Sequence, residues 1–444
     1  MKPQTRVPAD LMIEAAWVIP VEPADLTLER HTVVVTDGRI AAVLPADEAR
    51  RRYVPAEHLV LDRHVVLPGL VNLHTHAAMA LFRGLADDLP LMTWLQEHIW
   101  PVETRLMSDA LVHEGTLLAC AEMLRGGVTC FNDMYFFPEG AARAAARVGM
   151  RAAIGMIVLG FPTPWGRSTD EYLERGLAAR EAAASNPLVR FTVAPHAPYT
   201  VDDAAFLGVA ALAAELEIPV HIHVHETLAE VEESVRAHGV RPLARLDRLG
   251  LVDPRLIAVH AVHLTREEVA LLAMRGCHVA HCPAANLKLA SGIAPVADLL
   301  AAGVNLGVGT DGAASNNRLD VLGEVRLAAL LAKGASGNAA VVPAHEALRM
   351  ATIRPARALG LAAEVGSLVP GKAADLVAVR LDGPEVEPCY DPASHLIYAA
   401  GREHVTHVWV AGRPVLSERR LQALDEGEVT RIAEQWKARV GSVR

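Results

Sequence analysis

Eight short apolar runs of β type recur between residues 69 and 310, separated by stretches rich in Ala, Leu, Glu and Arg. Few features limit a chain's fold more than this alternation. The runs are 69–76, 128–134, 152–158, 189–194, 220–225, 256–261, 277–281 and 305–310. Helices are expected between them. Ser108 is placed to cap one that ends at Gly126-Gly127, and 204–216 and 266–275 are others. Eight βα units over about 250 residues match the usual size of a (β/α)8 barrel. An open doubly wound sheet would show the same alternation and is the competing architecture.

Both ends of the chain read as β. Residues 12–18 form a short apolar strand, 31–43 a hairpin turning at Asp37-Gly38, and 59–67 another strand. Near the C-terminus, 374–379 is a strand, and 404–410 and 414–416 form a hairpin about Ala411-Gly412. Residues 426–440 form a terminal helix. The expected fold is therefore α/β, a TIM-type barrel with a small composite β-sandwich domain built from both chain ends. The expected divisions are 1–65 for the first part of the sandwich, 66–363 for the barrel, and 364–444 for the second part and the helix.

Composition removes several function classes. The net charge of −10 argues against a nucleic-acid or anionic-membrane surface. No run of 18 apolar residues is present, so no membrane span is expected. Five cysteines in 444 residues suggest no disulfide framework. With no signal-peptide pattern at the N-terminus, a cytoplasmic protein is expected.

Barrel enzymes collect their chemistry at the C-terminal ends of the strands. Seven of the eight runs end at or beside a polar or ionisable residue: His74 and His76, Asn132-Asp133, His196, His223 with His225 and Glu226, His260 and His263, His281, and Asp311. The third run, ending Val158-Leu159-Gly160, is the exception. His74-Thr75-His76 alone is weak, since 20 histidines in this length produce about one His-x-His by chance. Period-2 alternation puts His221, His223 and His225 on one strand face, where unpartnered imidazoles would be costly. Histidines satisfied by hydrogen bonds in a core are the plain alternative, as a turn aspartate is for Asp311. Cys277-His-Val-Ala-His-Cys282 imitates a zinc cluster, but the two cysteines fall on opposite strand faces.

Five blocks, in order, resemble the amidohydrolase superfamily: Pro68-Gly-Leu-Val-Asn-Leu-His-Thr-His76, His221-Ile-His-Val-His-Glu-Thr227, Val259-His-Ala-Val-His-Leu264, His281-Cys-Pro-Ala-Ala-Asn-Leu-Lys-Leu289 and Gly309-Thr-Asp-Gly-Ala-Ala-Ser-Asn-Asn317. They look most like its 5′-methylthioadenosine/S-adenosylhomocysteine deaminase branch. The resemblance implies His74, His76, His223 and Asp311 as metal ligands. It also implies Glu226 as the acid that protonates the purine ring nitrogen, His260 as the group orienting the attacking water, and Asp311 as a proton carrier. No lysine stands at the end of the fourth run, Val193-Ala-Pro-His196, so a single metal ion follows. Zinc is the family expectation, and iron, manganese or cobalt suit the same donors. Such an ion lowers the pKa of water from about 16 towards roughly 7.

Substrate contacts implied by the same likeness are Trp94 and Glu103, in a long excursion after the first strand, together with His196 and Arg167. Glu103 would meet the ribose hydroxyls and Arg167 a homocysteine carboxylate. A second arginine of the family is missing near Gly155-Met156, which favours 5′-methylthioadenosine or adenosine over S-adenosylhomocysteine. The expected activity is hydrolytic deamination of an adenine nucleoside to the inosine analogue and ammonia, by a homo-oligomer (dimer or tetramer) acting on a small molecule. The alternatives are an aminohydrolase of guanine, a pterin or an s-triazine, and a non-catalytic scaffold on the same barrel.

Overall fold

The computed structural model describes residues 6–443. The first five residues of the expected N-terminal part and Arg444 lie outside it. The chain opens with β1 (Val7–Val18), β2 (Leu28–Thr36), β3 (Arg39–Pro45) and β4 (Tyr53–Pro68). The barrel strands follow: β5 (Leu70–Thr75), β6 (Val128–Tyr135), β7 (Arg151–Val158), β8 (Val189–Pro195), β9 (Val220–Val224), β10 (Leu256–His260), β11 (His278–His281) and β12 (Asn305–Val308). Last come β13 (Leu376–Arg380), β14 (Val405–Val410), β15 (Arg413–Ser417) and β16 (Arg420–Leu421).

Strands β5 to β12 hydrogen-bond in sequence order, each parallel to the next. Helices connect most of them, so the parallel sheet curls into a barrel rather than staying open. Its strands are apolar on both faces because side chains fill the interior and helices cover the outside. The seam between β12 and β5 closes through side chains and loop backbone. Asn72 Nδ2 donates to Thr310 Oγ1 (2.8 Å), and the Thr310 N–H donates back to Asn72 Oδ1 (3.0 Å). Ser108 caps helix Asp109–Arg125 by accepting from the Leu111 N–H at 3.3 Å, and that helix stops at Gly126.

The strands from the two chain ends form one sheet in the order β16-β15-β14-β13-β4-β1-β2-β3. It bends on itself. Gly38, in the first hairpin turn, and Gly412, in the last, come close enough that a Cβ on Gly412 would lie 3.0 Å from Gly38 Cα. Both turn glycines have left-handed φ, +70° and +74°. Between the two halves lies an apolar layer that includes Ile13, Val33, Leu376 and Trp409. This is the composite β unit expected from the chain ends. Arg151, at the start of β7, ties it to the barrel. Its Nε and Nη2 donate to the Asp375 carboxylate at 3.0 and 3.1 Å, with both side chains buried.

Two strands are longer than the sequence suggests. β1 starts at Val7 rather than Met12, and β4 at Tyr53 rather than Leu59, because they pair in parallel from Val7↔Tyr53 onward. The Val54-Pro55-Ala56-Glu57 stretch has poor strand propensity, and pairing along its length overrides it. No helix among the described residues is long and apolar enough to cross a membrane.

Candidate active site

His74 and His76 leave β5 on the same face, with Thr75 turned the other way so that its hydroxyl donates to the Asp311 carbonyl. Beyond β12 the chain departs from the strand. A Cβ on Gly309 would lie 2.7 Å from the His74 nitrogen, so only glycine permits this approach. Asp311 then adopts φ +60°, a left-handed conformation in which Asp is over-represented. Its N–H donates to the His74 carbonyl at 3.0 Å.

The result is a tight donor cluster. Asp311 Oδ1 lies 3.3 Å from His74 Nε2 and 3.3 Å from His76 Nε2, and His223 Nε2 lies 3.2 Å from His74 Nε2. Metal–nitrogen bonds of 2.0–2.1 Å arranged tetrahedrally have edges of about 3.3 Å. His74, His76 and Asp311 thus form one compact trio of donors suited to a small divalent cation, and His223 joins it through its contact with His74. The Nδ1 atoms face away from it. His76 Nδ1–H donates to the Met134 carbonyl at 2.5 Å and His223 Nδ1–H to the His196 carbonyl at 2.7 Å. A carbonyl can only accept, so both rings are held in the tautomer whose bare Nε2 points into the cluster. Burial lowers the His74 pKa to about 4 and that of His223 well below its ordinary value, which keeps both imidazoles neutral. Burial on its own would raise the Asp311 carboxyl, but His74 and His76 hold it well below the usual carboxylate range. Ser315 Oγ donates to Asp311 Oδ2 at 2.7 Å, and the Gly312 N–H donates to Oδ1 at 2.7 Å.

Glu226 and His260 stand beside this cluster. His260 has φ +68°, and its Nδ1–H donates to Asn286 Oδ1 at 2.7 Å, so its Nε2 lone pair is free. That Nε2 lies 3.7 Å from Glu226 Oε2, and with His74 and His223 it completes a second compact trio of nitrogen donors. Burial raises the Glu226 pKa. Its backbone is clamped by Glu230, whose carboxylate accepts from the His225 N–H (3.0 Å) and the Glu226 N–H (2.8 Å). Ser291 Oγ donates to Glu226 Oε1 at 3.3 Å.

A cavity of about 660 Å³ opens from these groups, and His76, His223, Glu226, His260 and Asp311 form its floor. Trp94, Glu103 and His196 line its walls. Trp94 belongs to a π-helical turn, Trp94–Ile99, within the excursion after β5. Its indole N–H has no hydrogen-bond partner among the described residues. Glu103 is buried among apolar side chains, which pushes its pKa up to about 7, and the Tyr135 hydroxyl donates to its Oε1 at 2.5 Å.

Two expectations need correcting. His225 does not share the face of His221 and His223. Strand β9 ends at Val224, and φ +57° at His225 swings its ring out of alternation. Its Nδ1–H donates to the His263 carbonyl (3.1 Å), and its Nε2 accepts from the Leu243 N–H (3.1 Å), so it is a satisfied core histidine. Arg167 is exposed and does not line the cavity, where its neighbours Phe161 and Pro164 do. Its backbone N–H donates to the Glu171 carboxylate at 2.9 Å, at the start of the next helix. Cys277 and Cys282 flank β11, and the Cys277 thiol donates to the Asp253 carbonyl at 3.2 Å. His281 is buried with a free Nδ1 but is not part of the cavity wall.

Four polar groups that touch the site escaped the sequence: Tyr135, Asn286, Ser291 and Ser315. Asn286 lies in the His281–Leu289 block and Ser315 in the Gly309–Asn317 block, and those placements were the available signals.

The family model described as "Amidohydrolase family" matches residues 65–415. A protein named 5-methylthioadenosine/S-adenosylhomocysteine deaminase from Teredinibacter turnerae is 45% identical over 435 residues, covering 98% of each chain. Among solved structures, an adenosine deaminase from Xanthomonas campestris with bound zinc superposes with a TM-score of 0.97 at 50% identity, covering 99% of this chain and 100% of that one. An atrazine chlorohydrolase from Arthrobacter aurescens, complexed with zinc, superposes with a TM-score of 0.88 at 26% identity, covering 97% and 100%.

Proposed function

The chain belongs to the amidohydrolase family, and we propose that it is a metal-dependent hydrolytic deaminase of adenine nucleosides, releasing ammonia and the inosine analogue. The observation that carries this is the cluster of His74, His76, His223 and Asp311 beneath a cavity whose floor also holds a buried Glu226 with a raised pKa. The full-length likeness to proteins named for this activity supports the same reading.

In the proposed roles, His74, His76 and His223 through Nε2 and Asp311 through a carboxylate oxygen hold one divalent ion. Zinc suits these donors, and the Xanthomonas relative contains it. When bound, the ion supplies Lewis acidity and a nucleophilic water near neutral pH. The protein's residues handle the protons. Glu226, whose pKa burial raises, gives a proton to the purine ring nitrogen beside the amine-bearing carbon, so that carbon accepts attack. His260, with Nδ1–H committed to Asn286, uses its Nε2 lone pair to orient the water. Asp311 takes the water proton and passes it to the departing amine, while Ser315 and Gly312 fix the carboxylate's rotation.

Glu103, with one oxygen on Tyr135, has the other free to accept from ribose hydroxyls. No lysine or arginine among the described residues lines the cavity. A homocysteine carboxylate would meet no cation there, which supports 5′-methylthioadenosine or adenosine as substrate. A guanine or s-triazine would leave Glu103 with no ligand hydroxyl to bind, so those substrates are the weaker reading. Mass spectrometry of products formed in 18O-labelled water tests the reaction. Adenosine or methylthioadenosine should exchange its amine for labelled oxygen, and recovery of unchanged nucleoside would refute the proposal.

A further inference from the structure

His221 lies two residues before His223 and is not part of the cavity wall. Its ring is wholly buried. Nε2 is 2.8 Å from His74 Nδ1, and the two ring planes are inclined at 76°. Its own Nδ1 has no hydrogen-bond partner among the described residues.

This contact differs from those of the other two clustered imidazoles. His76 and His223 each donate Nδ1–H to a backbone carbonyl, which admits one tautomer only. His74 meets an imidazole, which can accept or donate. If His74 Nδ1–H donates to His221, then His74 Nε2 is bare and His221 carries its proton on Nδ1. If instead His221 Nε2–H donates to His74, then His74 Nε2 is protonated and useless as a ligand. In both arrangements His221 Nδ1 stays unpaired among the described residues, an unfavourable state for a buried polar atom. A purely structural role would be better served by an apolar side chain.

We propose that His221 is a positioning residue for metal binding. It accepts the His74 Nδ1 proton and so holds His74 in its ligating tautomer. This rests on the reading of His74 as a metal ligand. Outer partners of this kind are worth 10- to 100-fold in metal affinity.

The test is zinc affinity, measured on the full chain by competition with a chromophoric chelator. The proteins compared are the wild type, His221→Gln, His221→Asn, His221→Leu and, as a control, His74→Ala. Glutamine can set an amide oxygen where Nε2 stood, and its affinity is expected to stay within about threefold of wild type. Asparagine reaches only the Nδ1 position and leucine has no acceptor, so both are expected to lose about 10- to 100-fold. Leucine keeps the test intact where asparagine does not fold. Equal affinity in all three His221 variants, whether unchanged or uniformly reduced, overturns the proposal. Failure of wild type to bind zinc, or binding undiminished in His74→Ala, overturns the metal-ligand reading and this proposal with it.

Discussion

The Asp311 N–H donates to the His74 carbonyl at 3.0 Å across the barrel seam, and the same aspartate's Oδ1 stands 3.3 Å from His74 Nε2. Closure of the fold and assembly of the donor cluster are thus one event. The last strand can reach the first only because Gly309 has no Cβ, and that approach sets the carboxylate opposite the imidazoles. Changing Asp311 to Asn should remove a ligand without disturbing the seam, whose bond is made by backbone. Metal affinity is expected to fall by more than the roughly 10- to 100-fold typical of an outer partner, with turnover lost in parallel and Tm of the metal-free protein unchanged. Metal analysis after gel filtration, with a thermal melt, checks both parts.

Glu226→Gln separates chemistry from metal binding. The amide keeps the size and the contact with Ser291 but cannot deliver a proton to the ring. We expect the metal content to be retained and kcat to fall by about 10²–10⁴-fold. Activity near the wild-type rate would remove Glu226 from the mechanism.

Glu103 predicts a pH dependence of binding. Burial raises its pKa from 4.5 to about 7, so below pH 7 the free protein holds it mostly neutral, and above pH 7 ionised. Accepting hydrogen bonds from ribose hydroxyls favours the ionised form. KM for the nucleoside should therefore fall as pH rises from about 6 to about 8. Glu103→Gln should flatten that profile and raise KM about 10- to 100-fold, the equivalent of one charge-assisted hydrogen bond. Tyr135→Phe should raise KM with little change in kcat. Steady-state kinetics from pH 5.5 to 9 on all three proteins checks this, since the adenine ring does not titrate in the window.

The Arg151–Asp375 pair predicts where stability is concentrated. Both side chains are buried, and Asp375 Oδ1 also accepts from the Ala411 N–H at 2.9 Å. Asp375→Ala would strand a buried guanidinium between the barrel and the terminal sheet, at about 3–5 kcal/mol. Urea unfolding should show that loss, and a change under 1 kcal/mol would mean water already reaches the pair.

The barrel was legible in the sequence because its strands are eight apolar runs alternating with helical stretches, seven of them ending at or beside a polar residue. Strand-end position marked His74, His76, His223, Glu226 and Asp311 only as candidates, and their proposed roles came from the family resemblance. Legibility failed where geometry depends on a single dihedral or a distant partner. Alternation extended through His225 is sound until φ +57° ends the pleat one residue early. Tyr135 meets Glu103 from 32 residues away, and Asn286 meets His260 from 26. No local pattern links such pairs. Arg167 lies next to the Ser168 helix cap and is exposed, outside the cavity lining, a placement that the motif alone does not encode.

The most direct test of the account is product release by the zinc-loaded protein across adenosine, 5′-methylthioadenosine, S-adenosylhomocysteine, guanine and atrazine, read as ammonia for the first four and as chloride for atrazine. The predicted result is the highest kcat/KM for methylthioadenosine or adenosine, with S-adenosylhomocysteine at least tenfold lower, about the 1.4 kcal/mol of one missing charge contact, and no turnover of the last two. Turnover of guanine or atrazine without turnover of any adenine nucleoside would contradict it.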